Sequence, residues 1–579
     1  MPEPAIRVEL DVPAQMRDGV VLRANIYRPD ADDGGPWPVL LTRLPYGKDL
    51  PLGSAALDPV QAARRGYIVV VQDVRGTFTS QGEWLPLRSE GPDGVDTIAW
   101  AAALPGSNGI VGMYGMSYFG FTQWAAAIEK PPTLRAIAPG ITWSDAADGV
   151  FSRGGVYELG MQANWNLQTG LNQLMRRYQG APGQLAEAIV AWAQEVDNLP
   201  GSGYLDLPLE TFGALDRLGL LEPVAYYFSN RFRPAELLPA SVHHGLHNVS
   251  IPVLHMGGWY DLFLGGTLHN FQVLTKQGVA HQQLVVGPWT HGNFASVQGD
   301  LDFGIRASGA MLDLQSDLMS YQLAFFDHYL KGADNGFERL PPVKYFQMGV
   351  NLWKYAATWP PSDAHDQHWY LHTTGGPAGP ARSGWIGTQS PGNEPAATFI
   401  ADPERPVPTV GGATLIHPSF HAGPLDQRAI EDREDVLAFT SAELDQPIEV
   451  AGHVEVRLFV ASDTASADFV ARLIDVYPDG TAIPCTDGIL RVEFDLDSRQ
   501  EQRPESGIRE VTIDLWSTAV TFHPGHRLRL DVTGSSFPRW ERNIAGGFDG
   551  AQPPALKPVH QTVFCDETHP SCLILPVMA

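Results

Sequence analysis

The run Tyr67-Ile68-Val69-Val70-Val71-Gln72 has no polar side to turn toward water. A continuous apolar stretch, mostly β-branched, suits a strand covered on both faces, and such strands belong to parallel sheets with helices above and below. The flanking segments repeat the theme. Val20 to Tyr27 alternates with a period of two and stops at Pro29, and Pro38 to Arg43 reads as a shorter strand. After the run come a helical stretch from Val95 to Leu104, a buried strand from Gly109 to Tyr114, an alanine-rich helix from Tyr118 to Glu129 and a strand from Leu134 to Pro139. Strand and helix alternating at this spacing imply a parallel sheet joined by right-handed crossovers.

The pattern changes near Trp143. Strand signals vanish as far as Asn248, and helical stretches such as Gly183 to Val196 take over. Strands resume with Ile251 to Met256 and Gln283 to Val286. An amphipathic helix is expected from Leu312 to Leu330, with Leu314, Leu318, Tyr321, Phe325 and Phe326 on its apolar side. Beyond about Pro341 only short strands remain, among them Val454 to Val460, Phe469 to Ile474 and His526 to Val532, with turns such as Asp479-Gly480 between them. That is the signature of an all-β sandwich or jelly roll. The expected organisation is an α/β domain over residues 1–142 and 249–340, a helical cap inserted at 143–248, and a β domain over 341–579. A chain of 579 residues exceeds what one core serves, which agrees with several regions.

Charge and cysteine content exclude some classes of function. A formal net charge of -26, with no cluster of Lys and Arg, argues against nucleic acid as a partner. Three cysteines are too few for a disulfide framework in a chain of this length. Cys565 and Cys572 flank a turn from Asp566 to Ser571; they stand where they could face each other, and two buried reduced thiols are the expectation. The start, Met1-Pro2-Glu3-Pro4-Ala5-Ile6, has neither the basic nor the apolar segment of a signal peptide. No apolar run reaches the ~18 residues that span a bilayer. A cytoplasmic protein without a membrane partner is expected, in which the sequon Asn248-Val249-Ser250 carries no meaning.

The strongest local signal is Gly115-Met116-Ser117-Tyr118-Phe119-Gly120, which follows a buried strand and opens the alanine-rich helix. A serine hydroxyl is a poor nucleophile until a base takes its proton. A tight strand-to-helix turn exposes that oxygen and aims helix-terminal N–H groups at developing negative charge. In the usual nucleophile elbow, glycine stands two residues after the serine. Here Phe119 holds that place, and glycine follows at Gly120. The order of later residues supports the reading, because nucleophile, acid and histidine follow one another at strand ends in the α/β-hydrolase fold. One strand runs into Gly257-Gly258-Trp259-Tyr260-Asp261, and the next into Gly287-Pro288-Trp289-Thr290-His291. Ser117, Asp261 and His291 are therefore the expected triad, with His291 as base and Asp261 holding its tautomer.

Other polar residues are weaker candidates. His255 lies within its strand and should point into packing. His243, His244 and His247 cluster without a carboxylate in the pattern, so a solvated loop is expected rather than a metal site. Asp73 ends a strand, and Val74-Arg75-Gly76 after it reads as a turn in which Asp73 and Arg75 pair. Gly47-Lys48 lacks the upstream glycine of a phosphate loop. The reading calls for no cofactor and no metal.

The motifs at 115–120, Gln72-Asp73-Val74-Arg75-Gly76, Gly258-Trp259-Tyr260-Asp261 and Gly287-Pro288-Trp289-Thr290-His291 resemble the family of bacterial cocaine esterase. X-Pro dipeptidyl-peptidases, α-amino-acid ester hydrolases and glutaryl-cephalosporin acylases share that family. The resemblance extends to Ser535-Ser536-Phe537-Pro538-Arg539-Trp540 and to the ending His569-Pro570-Ser571. It implies an α/β-hydrolase fold with a helical cap inserted after the sixth strand and a C-terminal jelly-roll domain. It also implies an oxyanion hole made by the Tyr46 hydroxyl, from Leu44-Pro45-Tyr46-Gly47, and the backbone N–H of Tyr118. Members are often dimers, but no stretch of this chain marks a homodimer interface.

Members that act on α-amino acyl groups grip the ammonium with carboxylates just beyond the catalytic acid. The corresponding stretch here is Leu262-Phe263-Leu264, where an unpaired ammonium would be desolvated at a cost of several kcal/mol. The chain is also short for the extra N-terminal domain of the longer dipeptidyl-peptidases. An apolar acyl pocket is expected instead, with Phe263, Trp143 and Trp165 as candidate walls and a small-molecule ester of an aromatic or aliphatic acid as substrate. An amidase, an acylase or a dipeptidyl-peptidase is the alternative enzyme. A catalytically silent binding protein of the same fold is the alternative from another class.

Overall fold

Ten strands form the central sheet. They are β1 (Ile6–Gln15), β2 (Val21–Pro29), β3 (Trp37–Leu44), β4 (Ile68–Asp73), β5 (Ser107–Met116), β6 (Leu134–Gly140), β7 (Val253–Tyr260), β8 (Gln282–Thr290), β9 (Val343–Gln347) and β10 (Leu352–Ala356). This computed structural model describes residues 5–30, 35–207, 209, 212–375, 384–494, 507–544 and 556–579. The spatial order is β1-β2-β4-β3-β5-β6-β7-β8-β9-β10, parallel from β4 to β9 and antiparallel at both edges. The order and the parallel core are those of an α/β-hydrolase sheet.

All six residues of β4 are buried, as a strand covered on both faces requires. Ile68 and Val70 enter one core with Val39 and Leu41, while Val69 and Val71 enter the opposite core with Leu40. Helices α1 (Glu90–Ala102) and α2 (Tyr118–Ala127) cover the first face through Ile98, Phe121 and Trp124. The cap follows β6 in α3 (Leu159–Arg177), α4 (Pro182–Asn198), α5 (Gly213–Arg217) and α6 (Glu222–Ser229), and the chain returns to the sheet at β7. Helix α7 (Leu264–Lys276) connects β7 to β8. Helix α8 (Leu318–Lys331) seals the second face with Leu323, Phe326 and Leu330.

Helix α8 is shorter than its apolar periodicity suggests. The Asp317 carboxylate accepts from the Ser320 amide at 2.7 Å and caps the helix there. Upstream, Asp313 and Leu314 take positive φ values of 51° and 59°, so Leu314 does not join the apolar side and stands exposed. The sheet also gains β1, which pairs antiparallel with β2. It continues past residue 340, since β9 runs parallel to β8 and β10 antiparallel to β9.

The C-terminal part is all β. Its spine is the fifteen-residue strand Ile448–Ser462, which pairs with Arg509–Phe522, Val559–Asp566 and Cys572–Met578. Ser466–Val476 and Ala482–Glu493 form a hairpin through Asp479-Gly480, where Gly480 takes a φ of 87°. The same hairpin reaches the cap where the Arg491 amide donates to Gly154 O at 2.8 Å, and further along the β domain the Glu541 amide donates to Tyr157 O at 3.0 Å. Cys485, Cys565 and Cys572 are buried free thiols. Among the described residues, no helix is long and apolar enough to cross a membrane.

Candidate active site

Ser117 sits on the turn between β5 and α2 with φ 55° and ψ -124°. A side chain at that φ is strained, and the surrounding backbone holds it there. The Ser117 amide donates to Gly140 O at 2.9 Å, and its carbonyl accepts from the amides of Gly120 and Phe121 and from the Thr142 hydroxyl. The displaced glycine has a steric reason. A Cβ at Gly120 would lie 2.8 Å from Thr142 Cβ and 2.9 Å from Gly140 O, so α2 approaches the end of β6 at this position. Phe119, one residue earlier, packs edge-on against the Tyr46 ring at 6.2 Å.

Asp261 and His291 follow the ends of β7 and β8. The imidazole joins Asp261 to Ser117, with His291 Nε2 3.0 Å from Ser117 Oγ and Nδ1 2.7 Å from Asp261 Oδ1. Asp261 is fully buried, while Ser117 and His291 are partly exposed. Glycines permit the two strand ends to meet. A Cβ at Gly258 would overlap the Trp289 carbonyl, and one at Gly287 would overlap the Trp289 ring. Trp289 is pinned through its indole N–H to Ala307 O at 2.7 Å, and Trp259 through its own to Phe346 O at 2.7 Å.

Tyr46 follows β3, and its hydroxyl stands beside the Ser117 side chain and accepts from Trp165 Nε1 at 3.0 Å. Burial pushes this phenol up to about 12, against the smaller opposing effects of Trp165 and Ser117. Tyr118 is the first residue of α2, where backbone N–H groups have no partner within the helix. Its side chain anchors the turn: the hydroxyl donates to Glu90 Oε1 at 2.8 Å and accepts from the Leu87 amide at 2.9 Å. Arg43 completes the anchor, 3.0 Å from Glu90 Oε2.

A cavity opens from Ser117 into the cap. Trp143, Trp165 and Phe263 all line it, as do Tyr46 and Tyr118. Trp143 stacks on Phe121 at 5.0 Å and is fixed by its indole N–H to Ala240 O at 2.8 Å. Phe263 packs against Trp143 at 5.0 Å and sets its edge on the His291 ring at 5.3 Å. The remaining walls include residues the sequence reading did not single out, notably Phe151, Tyr157, Met161, Tyr227 and, from the β domain, Leu415. Met161 had a signal, since it stands one helical turn before Trp165 on α3. Leu415 had none, because nothing local in the sequence ties it to residues 300 positions away.

The weaker candidates sort out by contact. His255 is buried in β7 and shares a hydrogen bond with Gln282 Oε1 at 3.0 Å. His243 approaches Asp145 at 3.8 Å and packs its ring on His244, within the turn His243–Asn248. The expected pairing of Asp73 with Arg75 does not occur. Asp73 instead accepts from the Lys48 amide at 2.7 Å and from its ammonium at 3.2 Å, because the turn after β3 closes over the end of β4. Arg75 reaches α1 and clasps Asp93 at 2.6 and 2.9 Å.

Two family models cover most of the chain. Residues 18–293 match the X-Pro dipeptidyl-peptidase (S15 family), and residues 335–574 match the X-Pro dipeptidyl-peptidase C-terminal non-catalytic domain. The chain is 35% identical over 583 residues to the cocaine esterase of Rhodococcus sp. (strain MB1 Bresler), covering 99% of this chain and 98% of that protein. Among solved structures, an α-amino acid ester hydrolase superposes with a TM-score of 0.73 at 25% identity, covering 100% of this chain and 97% of that one. An aminopeptidase from a marine sediment Thaumarchaeota archaeon superposes with a TM-score of 0.74 at 24% identity and the same coverage, which speaks for the fold alone.

Proposed function

The chain belongs to the family of serine hydrolases that includes cocaine esterase and the S15 peptidases, and on that premise we propose that it is a carboxylesterase acting through Ser117, His291 and Asp261. The observation that carries the proposal is the imidazole bridging Ser117 Oγ at 3.0 Å and Asp261 Oδ1 at 2.7 Å. His291 takes the Ser117 proton as Oγ attacks the ester carbonyl. Asp261 holds the imidazole with Nε2 facing the serine and stabilises the imidazolium. The oxyanion that develops is met by the Tyr46 hydroxyl and the Tyr118 amide, each donor contributing roughly 2.7–4 kcal/mol in such sites. The leaving alcohol takes the proton from His291, and water then releases the acid from the Ser117 acyl-enzyme by the same steps in reverse.

The cavity supports an aromatic or aliphatic acyl group. Its walls are mainly aromatic and aliphatic, and among the described residues they include no Asp, Glu, Lys or Arg. An α-ammonium or a second carboxylate buried there would lack a counter-charge, at a cost of several kcal/mol.

Two measurements test the reading. A fluorophosphonate should label the protein at Ser117, and Ser117→Ala should abolish both labelling and turnover with little loss of stability. Matched esters and amides of the same acyl group should then differ strongly in kcat/KM. An amide turned over as fast as its ester would replace the esterase by an acylase, and absence of labelling would remove the nucleophile.

A further inference from the structure

The Tyr46 hydroxyl has two polar neighbours in this structure, the Trp165 indole N–H at 3.0 Å and the Ser117 hydroxyl. An indole nitrogen can only donate. It therefore occupies a lone pair of Tyr46 Oη and leaves the phenolic proton to be donated on the side where Ser117 stands. The remaining directions follow in sequence. The Ser117 hydroxyl donates to His291 Nε2 at 3.0 Å, and His291 Nδ1–H donates to Asp261 Oδ1 at 2.7 Å.

Taking the site to work as described above, we propose that Trp165 is a positioning residue for catalysis, whose indole N–H holds the Tyr46 hydroxyl as a donor aimed at the oxyanion. Donation by Tyr46 requires that the phenol keep its proton, and burial ensures this by pushing it up to about 12. The indole itself is held from three sides. It belongs to α3, its ring stacks on Tyr118 at 6.0 Å and 17°, and it leans on Trp84 at 6.3 Å. One side chain of the cap thus touches both residues that supply oxyanion donors. As the carbonyl oxygen of a substrate gains charge, the Tyr46 proton turns to it while the Trp165 bond stays in place. Without the indole N–H, the hydroxyl could rotate to other acceptors, and part of its preorganisation would be lost.

A double-mutant cycle on an acetate ester tests the assignment, since a small acyl group makes little use of the pocket wall. Trp165→Phe keeps an aromatic ring and removes the N–H. It should lower kcat by about tenfold, a fraction of the 10²–10³ lost when a whole oxyanion donor is removed, and change KM by less than about twofold. In a Tyr46→Phe background the same change should alter kcat by less than about twofold, because no hydroxyl remains to orient. Equal losses in both backgrounds, a rise in KM alone, or an unchanged kcat in Trp165→Phe would each overturn the assignment. Full turnover by Ser117→Ala would instead overturn the parent reading of the site.

Discussion

Tyr46 reaches the nucleophile from the turn after β3, and burial that pushes its phenol up to about 12 keeps the proton on it at working pH. Tyr46→Phe should therefore lower kcat by about 10²–10³-fold in steady-state ester hydrolysis while KM moves much less, since the bond strengthens as the oxyanion forms. The buried histidine of β7 is a separate matter. Burial lowers His255 to about 4, with the hydrogen bond to Gln282 opposing only in part. An imidazole that is neutral when folded takes up a proton on unfolding at any pH between that value and the ordinary 6.5. Its contribution to stability is therefore complete above pH 6.5 and is lost as pH falls through about 4, to an extent of up to roughly 3 kcal/mol. His255→Gln, which carries no titrating group, should flatten the fall in unfolding free energy between pH 7 and pH 4 in denaturant titrations. An unchanged slope would show that other groups govern it.

At the level of elements, the glycines at the ends of β7 and β8 let the acid and base loops meet. Gly258→Ala would drive a methyl group into the Trp289 carbonyl, which is backbone and has little room to yield. We expect a loss of about 1–3 kcal/mol in chemical denaturation and a kcat depressed along with it, because the displaced strand ends carry Asp261 and His291. The same loops explain what could be read from sequence. Strand, glycine turn and polar residue form a local signature, so Ser117, Asp261 and His291 were legible one by one. The parallel sheet was legible from runs such as Tyr67 to Gln72, where burial on both faces leaves a mark on every residue. Leu312 to Asp317 misled, because apolar spacing continues through a stretch where Asp317 caps the helix and Leu314 takes a positive φ. Asp73 misled because the nearest cation in sequence, Arg75, was not the nearest in space. Leu415 was illegible for a different reason: a pocket wall supplied by a distant domain has no periodicity of its own.

Across the whole molecule, the cap is held by the β domain through buried charge. Arg153, which precedes the turn at Gly154-Gly155, donates to Asp487 O at 2.8 Å and lies 3.5 Å over the Trp516 ring. Arg539 Nη1 donates to both Asp487 carboxylate oxygens at 2.8 and 2.7 Å, and Trp540 Nε1 donates to Glu158 Oε1 at 2.8 Å. The stretch so gripped carries Phe151 and Tyr157 into the cavity, so the position of those walls depends on residues more than 300 positions away. For Asp487 itself, burial raises the carboxyl, but the combined pull of Arg539, Arg153 and Arg472 outweighs it and leaves the group below its usual range. That stabilisation is present above the ordinary carboxylate pKa and is lost only as acid takes the solution below the lowered one. Asp487→Asn removes the carboxylate that Arg539 and Arg153 share and leaves Glu158, 4.0 Å from Arg539, to balance more of the buried positive charge, which should cost about 3–5 kcal/mol in a denaturant titration at neutral pH. Because Ser117, Asp261, His291, Tyr46 and Tyr118 lie outside the grip, hydrolysis of an acetate ester should persist in the folded variant. A benzoate ester, which must fill the space between Phe151, Tyr157 and Leu415, should lose at least about tenfold more in kcat/KM than the acetate, the equivalent of roughly 1.4 kcal/mol of lost complementarity. Equal losses for the two esters would mean that the β domain stabilises the cap without shaping the pocket.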